Sequence, residues 1–323
     1  MSQATQAVGG ASGESESMPE LSVSVIVPTY SMERYPDLTA CIDSISAQTY
    51  PEIEIIVTVD GNEQLTERLR RKYASNDDIR IVSNGQNAGP ISRANLGAIC
   101  AGGELVVLTD DDAVAETDWI ERLVEAYRRH DAVAVGGKIV PEWVAGEATH
   151  IPVEFYFLIG ATHRGFATTE REVRNTFGAN LAIAREAYLH LGGIKQGGID
   201  NSRIQGRETE FCARLSETYG TGVIYTPDAV VRHRIYDYRT QVGWLLRRAF
   251  WQGYSKRAMG ALIDGSTGEE TAQLTRLFTE FIPERIGRLL RRPRRDELAQ
   301  FAMLVGLLIA TGMGYVYGLL RWR

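Results

Sequence analysis

The sequence predicts an α/β fold in which a mainly parallel sheet carries helices on both faces. Three observations lead there. Short β-branched apolar runs alternate with stretches of helical spacing from residue 22 to about residue 140. The runs are apolar throughout, as strands buried on both faces are. The segments between them are long enough for right-handed crossovers.

The elements follow in order. Residues 22–30 (SVSVIVPTY) form a β-branched run stopped by a proline. Residues 36–48 have helical spacing at Leu38, Cys41, Ile42 and Ile45, with Pro36 suited to a first turn. A second strand at 52–59 ends in Asp60-Gly61, and a charged helix at 63–73 leads to a third strand at 79–83. A short helix at 89–101 precedes a fourth strand at 104–109, which runs straight into Asp110-Asp111-Asp112. A helix at 117–130 and a strand at 132–140 follow.

Beyond residue 140 the pattern loosens. Gly192-Gly193 and Gly197-Gly198 mark a turn, residues 207–219 a helix and residues 222–234 a strand. Helical spacing resumes at 238–262 and 270–290. The expected organisation is a disordered tail (1–20), a catalytic domain (21–236) and a basic amphipathic helical region (237–297) before an apolar helix (298–320). The catalytic domain divides into a nucleotide-binding part (21–140) and an acceptor part (141–236). Residues 1–20 lack an apolar run, so they form neither a secretory signal nor a core.

Residues 298–320 contain no charge over 23 positions, enough at about 1.5 Å per residue to span a hydrocarbon layer of roughly 30 Å. Arg285, Arg288, Arg291, Arg292, Arg294 and Arg295 precede them, and Arg321 and Arg323 follow. The positive-inside bias then predicts a single-pass protein of the cell membrane with its catalytic portion in the cytoplasm. A buried or membrane-surface helix is the alternative. In the helical region, Trp244, Phe250, Trp251 and Tyr254 mix with Arg247, Arg248, Lys256 and Arg257, which suits a membrane interface.

Composition sets outer limits. The 323 residues are 44% hydrophobic and 24% charged, ordinary for a folded chain, and the net charge of −6 argues against a general nucleic-acid binder. Cys41, Cys100 and Cys212 are scattered, without CxxC spacing, so buried thiols in a reducing compartment are expected.

Three motifs fall at the carboxyl ends of predicted strands: Pro28-Thr29-Tyr30, Asp60-Gly61 and Asp110-Asp111-Asp112. In an open parallel sheet these ends share the ligand-binding edge. Three adjacent carboxylates repel one another unless a cation or solvent neutralises them, and hard oxygen donors suit Mg²⁺ or Mn²⁺. In an extended segment Asp110 and Asp112 point one way and Asp111 the other. Asp110 and Asp112 are therefore assigned to metal and nucleotide, with Asp111 in support.

The runs VSVIVPTY, VDGN, NAGPISRANLGA and LTDDDA together resemble the inverting family 2 glycosyltransferases of GT-A fold, over about residues 22–236. The resemblance implies a nucleotide-diphospho-sugar transferase whose Pro28, Tyr30 and Asp60 hold base and ribose. It also implies that the stretch from Asn87 to Asn95, including Arg93, approaches the donor, and that the aspartates carry a divalent metal. His233, ending the VVRHRI run, is similar to a family histidine that reaches the metal or diphosphate.

The base that such a transfer needs corresponds to the stretch from Gly206 to Cys212. There Glu208 shares an inward helix face with Phe211, Cys212 and Leu215, while Glu210 points away toward Arg214. Arg207 stands where the family has an acidic residue, so a membrane-anchored, non-catalytic sugar-nucleotide-binding scaffold stays open, as does a transferase for another surface polysaccharide. A nucleotidyltransferase would need a Gly-rich phosphate loop after the first strand, and VPTYSMERY has none. Without QxxRW, and with one apolar span, the pattern departs from processive synthases. The stretch through Gly253-Tyr254-Ser255-Lys256, with the apolar C-terminal helix, is similar to the archaeal members that extend dolichyl-phosphate-linked glycans. That likeness implies transfer of a single sugar from a UDP-sugar donor, glucuronic acid, to a lipid-linked acceptor at a membrane.

Overall fold

The computed structural model describes residues 20–85, 89–195, 205–262 and 268–322. Most of the tail expected at 1–20 lies outside the described residues, as do Asn87, Gly197 and Gly198.

In the first half the strands β1 (Val23–Thr29), β2 (Ile53–Val59), β3 (Ile79–Ser83) and β4 (Leu105–Leu108) pair in parallel, in the order β3-β2-β1-β4. The helices α1 (Tyr35–Ser46), α2 (Glu63–Lys72) and α3 (Pro90–Cys100) connect them. Side chains alternate across a strand. Val25 and Val27 therefore enter one core with Leu38, Ile42 and Ile45 of α1, while Ile26 enters a second with Ala94 and Ala98 of α3. α3 approaches β1 so closely that a Cβ on Gly97 would lie 2.4 Å from Ile26 Cγ2.

The chain leaves β1 toward β2 and β3, then returns to place β4 on the other side. That reversal of strand order opens a crevice at the carboxyl ends of β1, β2 and β4, where the three acidic or aromatic motifs emerge.

The second half comprises β5 (Ala113–Ala115), α4 (Trp119–Arg129), β6 (Ala134–Trp143), β7 (Arg171–Val173), β8 (Leu181–Ala184), α5 (Arg185–His190), α6 (Arg207–Tyr219) and β9 (Val223–Ile235). The sheet continues β4-β8-β6-β9-β5, with β7 also on β9. Here the pairing is no longer all parallel. β8 pairs antiparallel with β4 and β6, as do β5 and β7 with β9, while β6 and β9 are parallel. The sheet is mixed. β8 is only four residues (LAIA) and leads directly into α5, too short to display a period of its own. It is held in register by Asn180, whose amide donates to Lys138 O and Ala229 O and accepts from Trp119 Nε1.

The C-terminal part folds as α7 (Asp237–Thr240), α8 (Val242–Leu262), α9 (Gly268–Arg276), a π-helical turn (Leu277–Phe281), α10 (Ile282–Arg291) and α11 (Arg295–Arg321). The single helix expected at 270–290 is thus divided. Pro283 lacks the N–H a regular turn requires, and the chain accommodates it with the wider turn just before. Arg285, counted from sequence among the basic residues before the apolar helix, is not a free surface charge. It is buried in a bidentate pair with Glu154, at 3.1 and 2.6 Å, and also donates to Gln300 of α11. α11 is long and apolar enough to cross a membrane, and its Leu304 and Leu307 reach the main core. Cys41 and Cys212 are buried and Cys100 partly so.

Candidate active site

β4 delivers the three aspartates to the crevice and the end of β9 delivers His233. Ala113 of β5 pairs with His233, and Asp112 O accepts from Arg234 N, which fixes the two segments side by side. Asp110, Asp112 and His233 present ligand atoms within 4.8 Å of one another. His233 Nε2 lies 3.1 Å from Asp112 Oδ1 and 3.9 Å from Asp110 Oδ2. Asp110 is half exposed to the cleft, whereas Asp112 and His233 are buried. Two carboxylates supply hard oxygen donors and the imidazole one nitrogen donor, a set that fits a divalent cation.

Asp111 and Asp112 lie in the turn after β4, closed by Ala113 N donating to Asp110 O at 3.1 Å, so the expected alternation of an extended segment does not apply here. Thr29 Oγ1 donates to Asp111 at 2.7 Å, and Arg34 Nη1 lies 3.2 Å away. The same Arg34 nitrogen lies 2.5 Å from Asp112 Oδ2, and Arg239 Nη2 adds a further contact at 3.6 Å. Burial alone would raise the Asp112 carboxyl. The His233 hydrogen bond and the charges of His233, Arg239 and Arg34 outweigh it and hold Asp112 well below the usual carboxylate range. Burial pushes Asp111 up to about 6, against its Thr29 hydrogen bond. The close packing around Asp110 and the Asp112 charge raise Asp110 as well. An added cation would relieve this crowding of negative charge.

On the other side of β1, the buried Asp60 accepts from Asn84 Nδ2 at 3.0 Å and from Gly89 N at 2.7 Å. Gly89 has φ of 88°, a conformation open to glycine, and this turns its N–H toward Asp60 at the start of α3. Arg93 is buried beneath this corner. It approaches Asp60 at 3.5 Å and Thr29 O at 3.4 Å, and its guanidinium lies 5.1 Å from the exposed Tyr30 ring. Burial lowers the Arg93 pKa, with Asp60 opposing. Pro28 lies in β1, one residue before Thr29. Tyr30, Asp60 and Arg93 thus form one corner, and Asp110, Asp112 and His233 a second.

Glu208 is the second residue of α6, two positions after Gly206, whose φ of 89° sets the sharp entry. Its carboxylate packs on Gly178, where a Cβ would meet Oε1 at 3.0 Å. Although part of its area is accessible, burial raises its pKa. Asp110 adds to the rise, while Arg207 and Arg248 oppose it. The charge of Asp110 thus reaches Glu208. Glu210 pairs outward with Arg214, at 2.5 and 3.0 Å, and Arg214 also caps the carbonyls of Leu191 and Gly193.

Sequence reasoning missed a ring of cations and aromatics around these carboxylates. Arg34 sits over Tyr236, at 5.4 Å, and Tyr236 donates to Asp37. Tyr236 stacks on Tyr238 at 6.3 Å, and Tyr238 meets Trp244 edge-on at 5.9 Å. Arg248 lies 5.9 Å from the Trp244 ring. No motif links these positions, since they come from α1's approach loop and from α7 and α8. The position of Arg239, six residues after His233, is the nearest thing to a signal.

Fold and site together define a nucleotide-sugar transferase of the GT-A type. The family description "Glycosyl transferase family 2" matches residues 24–192, and the chain belongs to that family. The glucosyl-dolichyl phosphate glucuronosyltransferase of Haloferax volcanii is 40% identical over 303 residues, covering 93% of this chain and 97% of that protein. The succinoglycan biosynthesis protein ExoM of Rhizobium meliloti is 25% identical over 251 residues, 72% of this chain and 73% of ExoM. Among solved structures, the mannosyltransferase PcManGT from Pyrobaculum calidifontis, in complex with GDP-Man and Mn²⁺, shares the fold. Its TM-score is 0.59 at 17% identity, over 93% of this chain and 88% of that one. TarS of S. aureus in complex with UDP-GlcNAc has a TM-score of 0.53 at 15% identity, over 90% and 82%. The chain is a glycosyltransferase.

Proposed function

We propose that this enzyme moves one glucuronic acid, with inversion, from UDP-glucuronic acid to a glycan linked to dolichyl or polyprenyl phosphate. The observation that carries the reading is the triad of Asp110, Asp112 and His233, whose ligand atoms lie within 4.8 Å of one another. Glu208, whose carboxyl is raised by burial and by the Asp110 charge, is the base assigned to it. The 40% relative over nearly the whole chain supports the choice of donor and acceptor.

Tyr30 and Asp60 hold the base and ribose of the donor, and Arg93 braces both from below. Asp110, Asp112 and His233 would hold Mg²⁺ or Mn²⁺, which would supply a Lewis acid for the leaving diphosphate. Glu208 takes the proton of the acceptor hydroxyl as its oxygen bonds to the anomeric carbon. The bond from that carbon to the diphosphate breaks on the opposite face, and UDP departs. Attachment through α11, which is long and apolar enough to enter a bilayer, brings the site beside a lipid-borne acceptor; the arginines ahead of that helix favour a catalytic domain on the cytoplasmic side.

Purified full-length protein given UDP-[¹⁴C]glucuronic acid, Mn²⁺ and glucosyl-dolichyl phosphate yields labelled lipid, and none with GDP-mannose. UDP release without labelled lipid overturns the acceptor assignment; labelled lipid from GDP-mannose alone overturns the donor.

A further inference from the structure

α11 has two unlike faces along its whole length. Leu298, Val305, Ile309, Met313, Val316 and Leu320 are exposed along one side, with Tyr315 and Leu319 exposed beside them, and at 3.6 residues per turn these positions span a little under half of the helix circumference. The opposite face is packed against protein from one end to the other. Gln300 donates to Thr149 O, and Leu304 and Leu307 are fully buried in the main core. Farther along, a Cβ on Gly314 would come within 1.8 Å of Phe250 O, and one on Gly253 within 1.9 Å of Thr311 O. Arg257 of α8 donates to Trp322 O at 2.8 Å. The neighbours advance together, from Leu246 beside Gly306 to Arg257 beside Gly318, so α8 and α11 run in parallel at glycine-close distance.

A helix that crosses a bilayer has its soluble domain at one end. α11 has its domain alongside. Turning it perpendicular to the membrane would carry Arg247, Arg248, Lys256 and Arg257 of α8 into hydrocarbon. The irregular backbone at Thr149, whose carbonyl accepts from Gln300, would go with them, where charges and open backbone are excluded. At about 1.5 Å per residue, the 27 residues of α11 make a rod of about 40 Å lying on the domain's flank.

We propose that α11 lies in the plane of one leaflet of an anionic bilayer, so that its C-terminus stays on the same side as the catalytic domain. The exposed stripe enters the acyl boundary. Arg291, Arg292, Arg294 and Arg295, all exposed beside the start of the helix, and Arg321 at its end meet anionic headgroups. This goes beyond the reaction proposed above and depends on neither donor nor acceptor.

Two measurements test it, and neither reads sugar transfer. In a Cys100→Ser background, Arg321→Cys and Glu67→Cys, the latter exposed on α2, are treated singly in intact cells with a membrane-impermeant maleimide. Both are expected to share one accessibility, reacting together before or only after lysis. Labelling of one from outside while the other is protected overturns the proposal. In flotation with phosphatidylglycerol vesicles, the full-length protein rises with lipid, and Ile309→Asp/Val316→Asp loses at least 10-fold of that fraction at an unchanged melting temperature. Undiminished flotation of the folded variant overturns the lipid-facing stripe. Leu320→Asp alone, at the exposed end of the helix, supplies the same readout should the double variant fail to fold.

Discussion

His233 Nε2 lies 3.1 Å from Asp112 Oδ1, joining the end of β9 to the turn after β4. The antiparallel register of β5 on β9 creates this contact, and through it a strand late in the chain completes a site begun by an early one.

Asp112→Asn keeps the shape of the side chain but removes the charge shared by His233, Arg34 and Arg239. A loss of several kcal/mol in transition-state stabilisation follows, on the order of 10²-fold or more in kcat/KM. EDTA should reproduce it in the wild type, with recovery on adding Mn²⁺. Full turnover in chelator would remove the metal from the reaction.

Glu208→Gln should lower kcat by on the order of 10²–10⁴ while the melting curve is unchanged. The wild type should also show an acid limb. Burial and Asp110 raise the Glu208 pKa, and only the ionised form accepts a proton, so the rate falls as pH drops through that raised value. The limb belongs at a higher pH than an unperturbed glutamate, near 4.3, would give. A pH–rate profile that bends only there contradicts the assignment.

Arg93→Ala should weaken UDP binding by about 1–3 kcal/mol, because Asp60 loses a buried cation and Tyr30 loses the group beneath its ring. Calorimetric titration with UDP measures it. Because Arg93 is itself buried, Arg93→Lys recovers charge but not reach, and should recover only part of the affinity.

Glu154→Gln should destabilise the protein by about 3–5 kcal/mol, since Arg285 would keep a buried, half-satisfied charge. Denaturant unfolding reads the loss. An effect within 0.5 kcal/mol would mean that the pair does not join α10 to the catalytic domain.

The sequence by itself determined the parallel half of the sheet and the inward face of α6. Both follow from local rules: apolar period, and cap and turn chemistry. The alternation expected of Asp110 and Asp111 did not carry over, because the chain turns after β4 instead of staying extended. The sequence also marked Asp60 and His233, because each ends an apolar run. Tertiary structure alone decided the antiparallel insertion of β8, whose four residues carry no period and whose place depends on Asn180. It alone placed Arg34, Arg239 and the Tyr236–Tyr238–Trp244 path beside the carboxylates, since those side chains meet only once α1 and β9 are brought together. It also took Arg285 out of solvent and laid α11 along α8, because burial and helix contacts depend on neighbours distant in the chain, which hydropathy along one segment does not register.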